Sequence, residues 1–175
     1  MLTIEHQRPE HLAQVLSVNE TAFDRKEEAR LVESQIRKGK APLSLVALEA
    51  DRVVGHALFS RVRIFPEKTN VRAAGLGPVA VLPSHRGRGV ATTLIEQGLK
   101  DCLRLDINAV FVMGDVDFYA RFGFASIYTI TSDFDAPEGA FMALELKTGS
   151  LAGILGKALY EPEFALTAEG TYGGE

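Results

Sequence analysis

The chain has 175 residues, 46% of them hydrophobic and 24% charged, with a formal net charge of −4 and a single cysteine, Cys102. This is the usage of one globular domain whose core needs neither a disulfide nor a structural metal, and it excludes disordered, collagen-like and disulfide-framework classes. The acidic total disfavours broad nucleic-acid binding, no apolar run approaches a membrane span, and MLTIEHQRPEHLAQV lacks a secretory pattern, so a cytoplasmic protein with neither nucleic acid nor membrane as partner is expected.

In chain order, MLTIEH reads as a strand, and Pro9 followed by EHLAQVLSVNETAF suits a helix whose first-turn proline needs no amide donor. Asp24 and Glu27 resemble a helix-start pair ahead of EARLVESQIRK, with Gly39 as the stop. LSLVALEADRVVGHALFSRVRIF holds two β-rich runs around Asp51-Arg52, the pattern of a hairpin. VRAAGLGPVAV is strand-like but interrupted by Gly75, Gly77 and Pro78; proline cannot donate to a ladder and glycine tolerates a bulge, so the strand should be distorted. VATTLIEQGLKDCL places Val90, Leu94, Ile95, Leu99 and Leu103 at helical spacing. NAVFVMG then reads as a buried strand, DVDFYARFGF as a short helix ended by Gly123, and ASIYTI and AFMALEL as the closing strands, with the tail TAEGTYGGE expected to fray. No repeat or linker divides the chain. The order of elements predicts an α/β (α+β) domain on a central, mostly antiparallel sheet.

The run Arg86-Gly87-Arg88-Gly89-Val90-Ala91 sits where that amphipathic helix begins. A helix start presents unpaired amides and a partial positive charge, glycine lets an anion approach the backbone, and two arginines add permanent charge. The alternatives are a solvated turn or an anion cradle, with a diphosphate a better fit than a single carboxylate. A Walker loop is excluded because no Gly-Lys-Ser/Thr follows, and a dinucleotide fingerprint is poorly matched because Thr92 stands where its third small residue belongs.

LGPVAVLPSHRGRGVATTLIEQGL resembles the central motif of the GNAT superfamily of N-acetyltransferases, Arg/Gln-x-x-Gly-x-Gly/Ala, here Arg86, Gly89 and Ala91. VMGDVDFYARFGF is similar to the second signature of that family, a strand and a short helix with a tyrosine ending in Gly-Phe. The likeness is greatest to the bacterial YhbS-like branch, and it covers residues 1–147 as a transferase domain, with 148–175 as an extension of it. The resemblance implies a mixed sheet whose fourth and fifth strands splay around acetyl-CoA. Its pantetheine would pair with the backbone of Val79, Ala80 and Val81, and its diphosphate with amides from Arg86, Gly87, Arg88, Gly89, Val90 and Ala91. An acetyl group would pass to a small-molecule or protein amine, with Tyr119 protonating the departing thiolate; a phenol is protonated at neutral pH and can act so. A backbone amide near Val79 is the oxyanion candidate. A noncatalytic acyl-CoA-binding module is the competing reading, and oligomeric state stays open, exposed strand edges allowing a homodimer.

No general base is assigned. Glu20, Asp24, Glu27 and Glu28 read as a capped, solvated helix surface, and His56 as a satisfied strand histidine. Cys102 reads as packing, and no Gly-x-Ser-x-Gly elbow supports a serine hydrolase. Many family members carry an asparagine before the tyrosine where Val112, Met113 and Gly114 stand; Asp115 or Asp117 is expected to cap the short helix instead. The N-terminal helices and the loop from Phe65 to Asn70 are expected to shape the amine pocket.

Overall fold

The computed structural model describes residues 1–66 and 70–167. Its strands are β1 (Leu2–His6), β2 (Leu43–Glu49), β3 (Arg52–Phe65), β4 (Ala73–Val81), β5 (Ala109–Met113), β6 (Ala125–Ser126), β7 (Ile130–Ser132), β8 (Phe141–Glu145) and β9 (Gly156–Leu159). Its helices are α1 (Leu12–Phe23), α2 (Glu27–Arg37), α3 (Val90–Arg104) and α4 (Val116–Ala120). The main sheet runs β1-β2-β3-β4-β5-β8-β6, antiparallel except for the parallel pair β4–β5. This is the mostly antiparallel sheet that the order of elements leads one to expect, with the mixed character that the family resemblance implies.

Local chemistry sets the connections. The β2–β3 hairpin turns on Ala50 and Asp51, at φ 48° and 62°, the left-handed pair that matches strand twist. The turn lies one residue before the Asp51-Arg52 step expected from sequence. After α2, Gly39 at φ 65° lets Lys40 N–H reach Gln35 O (2.9 Å) and Gly39 N–H reach Ile36 O (3.2 Å), so glycine ends the helix as expected. The start of α2 is different. Asp24, at φ 52°, closes α1, and the residue before α2 is Lys26, which makes no side-chain cap; Asp24 and Glu27 form no capping box. Two charged residues between consecutive helices fit the end of one as well as the start of the next.

Alternation along β3 assigns the two faces of the sheet. A Cβ on Gly55 would lie 2.8 Å from Val90 Cγ1, and one on Gly98 only 2.3 Å from Phe59 Cε2, so glycine at these positions lets α3 seat on the odd face of β3. His56 points the other way, to Asn19 of α1, so α1 and α3 cover opposite faces. Phe59, Leu45, Leu58, Leu94 and Ile95 are fully buried in the resulting core, each side chain stabilising the fold by roughly 1.5–3 kcal/mol.

The chain past Lys147 is built into the domain. β9 pairs antiparallel with the end of β3 (Ile64↔Ala158) and parallel with β7 (Thr131↔Lys157), and a 3₁₀ turn, Pro162–Thr167, follows. The stretch ASIYTI thus divides into β6 and β7 rather than forming one strand. A second core of Ile64, Phe111, Ile130, Phe141 and Leu151 lies beneath, with Phe111 and Phe141 stacked at 5.4 Å. The tail expected to fray lies, except for Thr167, outside the described residues. No helix among the described residues is long and apolar enough to cross a membrane.

Candidate functional site

The site begins where β4 and β5 part. They pair from Ala73↔Ala109 to Leu76↔Val112 and no further; β4 continues with β3 to Val81, while β5 stays with β8 to Met113↔Phe141. The parting coincides with the distortion expected from sequence. The β3–β4 register shifts between Ala57↔Val79 and Phe59↔Leu76, placing the extra residue at Gly77-Pro78. Gly77 sits at φ 142° and Pro78 has no amide to offer a ladder.

Strand alternation decides which polar groups face the wedge. Leu82 N–H bonds Val54 O at 2.9 Å, which makes that pair a hydrogen-bonded one; two residues back, the Ala80↔His56 pair must be hydrogen-bonded too. The backbone groups of Val79 and Val81 therefore turn toward the side β5 has vacated, whereas those of Ala80 turn toward β3. Ala80, expected to face a ligand with its neighbours, has its main-chain groups engaged inside the sheet.

Beyond Val81 the chain passes Pro83–His85 and Arg86 to reach α3. The first intrahelical bond, Thr93 N–H to Gly89 O at 2.9 Å, leaves the amides of Val90, Ala91 and Thr92 without a helical acceptor. Gly87 (φ 71°) and Gly89 (φ 77°) take left-handed conformations; a Cβ on either would meet nothing within 4 Å, so backbone conformation rather than crowding calls for glycine. No side chain caps the helix: Gly89 has none, and Thr93 Oγ1 bonds back to Gly89 O at 2.8 Å. These residues, with Val81 and Asp115, Phe118 and Arg121 of the α4 region, line an open groove of about 510 Å³.

The two loop arginines differ in use. The Arg86 guanidinium donates through Nη2 to Ala22 O (2.8 Å) and through Nε to Val81 O (3.4 Å), fastening the loop to the end of α1. Two of its donors are thus engaged by carbonyls of the protein, while the residue is exposed and also lines the groove. Arg88 is exposed beside Glu49, whose carboxyl is held below its ordinary range first by the bond from His85 Nε2 (2.9 Å) and then by nearby positive charge. Arg121, which sequence reasoning passed over, enters from the facing wall: its guanidinium lies 4.6 Å above the Phe118 ring and 3.4 Å from Thr92 Oγ1, with no carboxylate at ion-pair distance among the described residues. Its place three residues after Phe118 on one helical face was the available signal.

Asp115 caps α4 by accepting from Phe118 N–H at 2.7 Å, the first of the two caps expected. Tyr119 is 3% exposed and makes edge contacts with Phe118 (5.0 Å) and Phe124 (5.8 Å), within the same core as Val79, Val81 and Val112.

The carboxylates of the first helices do not share one solvated surface: Glu27 is half-buried, and its Oε2 is buried with no hydrogen-bond partner among the described residues. Glu28 is fully buried and paired bidentately with Arg25, and Glu20 is exposed. Ser44 donates to Gln7 Oε1 (2.6 Å) and so accepts from His56 Nε2 (2.9 Å), while Asn19 Nδ2 donates to His56 Nδ1 (3.1 Å); the network selects neutral imidazole, and burial pushes its pKa down to about 3. Cys102 is fully buried, and burial, then Asp101, pushes its thiol up to about 12. Of the loop expected to shape the amine pocket, residues 67–69 lie outside the described residues, and Phe65 pairs with Lys157.

Comparison with known proteins places these features in a family. A profile described as an acetyltransferase (GNAT) domain matches residues 3–127. The chain is 32% identical over 146 residues, 82% of its length and 86% of the other, to a protein of Escherichia coli K12 named as the uncharacterized N-acetyltransferase YhbS. The crystal structure of E. coli YhbS in complex with CoA superposes with a TM-score of 0.90 at 27% identity, over 99% of this chain and 96% of that one. A GNAT-family acetyltransferase from Brucella melitensis in complex with acetyl-CoA gives 0.78 at 29% identity, over 94% and 98%.

Proposed function

The chain belongs to the GNAT family of acetyltransferases, and from that membership we propose that it moves an acetyl group from acetyl-CoA to a primary amine. The observation that carries the proposal is one groove that joins Val81, at the strand edge β5 leaves open, to the uncapped amides of α3, with Val79 two residues back on the same edge. A pantetheine amide fits the first and a diphosphate the second. The likeness to proteins crystallised with CoA and acetyl-CoA supports the same assignment.

In the proposed reaction the neutral amine attacks the thioester carbonyl and the oxyanion accepts from the Val79 amide. Preorganised donors of this kind contribute roughly 3–4 kcal/mol to barrier lowering. The C–S bond then breaks as the departing sulfur takes its proton from the Tyr119 hydroxyl; the nitrogen gives up its extra proton to water, and the Tyr119 oxygen recovers a proton from water, which restores the phenol. Arg86 holds the loop, whereas the amides of Gly87, Arg88, Gly89, Val90 and Ala91, with Arg121, hold phosphate. We take residues 1–147 as the transferase domain and the remainder as its extension.

The test is calorimetric titration with acetyl-CoA, followed by assay of thiol released against a panel of primary amines. Association with acetyl-CoA and amine-dependent release of thiol are expected. No heat of association would refute the whole reading; association without turnover on any amine would leave a noncatalytic acyl-CoA-binding module.

A further inference from the structure

The extension after Lys147 places an aromatic side chain on the sheet beside the site. Tyr160, directly after β9, lies so close to β4 that a Cβ on Gly75 would stand 2.5 Å from its Cε1. Ser60 is the direct cross-strand partner of Gly75, so its side chain projects on that same face. Its hydroxyl is fully buried and has no hydrogen-bond partner among the described residues. Leaving such a group unpaired is costly, and it invites a ligand able to hydrogen-bond it. Ser60 and His56 lie on the even face of β3, the face of α1, and Gly75 stands two residues before Gly77-Pro78, where β4 leaves β5.

The surroundings of Tyr160 have a definite chemistry. Its ring packs against Phe134 (5.8 Å) and Phe164 (5.2 Å), and its amide donates to Asp133 Oδ1 at 3.4 Å. Asp133 is exposed, with no cation at ion-pair distance among the described residues. The segment is fastened in place: Glu161 pairs with Lys40 and Arg61 (2.9 Å each), and Glu163 with Lys38 (2.7 Å) and Lys40 (3.1 Å). Aromatic faces with an unneutralised carboxylate favour a cation and repel a carboxylate.

We propose that Tyr160 and Asp133 form the specificity wall of the amine site, and that the amine admitted is a diamine whose second ammonium rests on this wall. The inference depends on the reading that the thioester lies at the β4–β5 parting. A reacting amine that displaces the edge of the Tyr160 ring from Gly75 meets Ser60 Oγ, which accepts from its N–H. Tyr160 is a positioning residue, since it acts through the placement of the amine.

The experiment is titration of the CoA-saturated protein with 1,4-diaminobutane, butylamine and 4-aminobutyrate, on the wild type and on the Tyr160→Phe, Tyr160→Ala and Asp133→Asn variants. The diamine is expected to bind at least tenfold more tightly than 4-aminobutyrate. Asp133→Asn should erase most of the preference for the diamine over butylamine, Tyr160→Ala should weaken the diamine at least fivefold, and Tyr160→Phe should retain it. Asp133 is exposed, so its variant tests the wall even if Tyr160→Ala does not fold. No diamine binding to the CoA-saturated protein, or equal affinity in the wild type and Asp133→Asn, overturns the inference. Failure of CoA to bind at the outset would instead overturn the function proposed above.

Discussion

Replacing Arg86 and Arg121 one at a time is expected to separate an arginine that fastens the loop from one proposed to hold the ligand. Arg86→Met keeps the length of the side chain but removes the donors to Ala22 O and Val81 O. A charge-assisted hydrogen bond contributes about 1.5–3 kcal/mol, and exposure of the guanidinium reduces this toward about 1–2 kcal/mol. Urea unfolding should therefore reveal a loss of about that size, since a midpoint shift at constant slope reports stability. Because these bonds already engage the Nε and Nη2 donors of the guanidinium, the salt dependence of acetyl-CoA affinity should stay close to the wild-type slope in Arg86→Met. Arg121→Met should do the reverse. Its charge faces the groove, and what it loses within the protein is a long bond to Phe118 O (3.3 Å), the contact to Thr92 Oγ1 and the face of the Phe118 ring, so at this exposed position stability should change by no more than about 1 kcal/mol. Affinity should fall about tenfold or more, as for a lost charge-assisted contact of 1.4 kcal/mol or above, with a flatter salt dependence. An Arg86→Met protein with unchanged urea midpoint and strongly weakened acetyl-CoA binding would refute the division of roles.

Tyr119→Phe is expected to lower turnover roughly 10²–10⁴-fold while acetyl-CoA affinity stays within about threefold, the signature of a lost general acid; unimpaired turnover would remove the assignment. Gly98→Ala drives a methyl into Phe59 and should destabilise the protein by about 1–3 kcal/mol in urea without altering acetyl-CoA affinity. His56 is neutral when folded, burial having pushed its pKa from the ordinary 6.5 to about 3, so between those limits the unfolded chain binds the extra proton. Stability is full above pH 6.5 and is lost as pH falls, by up to about 1.4 kcal/mol per pH unit; His56→Gln should flatten that slope between pH 6.5 and 5. Amide exchange should reveal the strand alternation directly: Ala80 N–H is protected without ligand, whereas Val79 and Val81 N–H gain protection on adding CoA.

The parts of the fold legible in the sequence were those encoded within a few residues. The glycine-proline interruption announced the distorted strand because backbone freedom and a missing donor are local properties, and Asp115 announced a cap for the same reason. The junction of α1 and α2 was ambiguous, since an aspartate at φ 52° leaves no mark that distinguishes an ending from a beginning. Long-range partnerships were silent. Nothing in Arg86 says that its acceptor is Ala22 O, and nothing in GKAL says that it will pair with the end of β3. The engagement of Ala80 required register, which a bulge resets and which no single strand carries.

The same bulge explains how a sheet can hold an open wedge without an aggregation-prone edge. A strand edge is hazardous when it is long, flat and reachable. Here the unpaired edge runs only from Gly77 to Val81, includes at Pro78 a residue that lacks an amide donor, and ends at the groove lined by the Arg86 loop and the α4 region. Its side chains remain buried because β3, α1 and α3 continue past the point where β5 departs. Packing thus holds the wedge open from both faces, while the backbone groups at Val79 and Val81 stay available to a narrow amide-bearing chain and are denied to another sheet. Local backbone chemistry at Gly77-Pro78 and the glycine-opened helix at Gly89 then act together: the first frees hydrogen-bonding groups along a strand, and the second supplies the positive terminus where that strand ends.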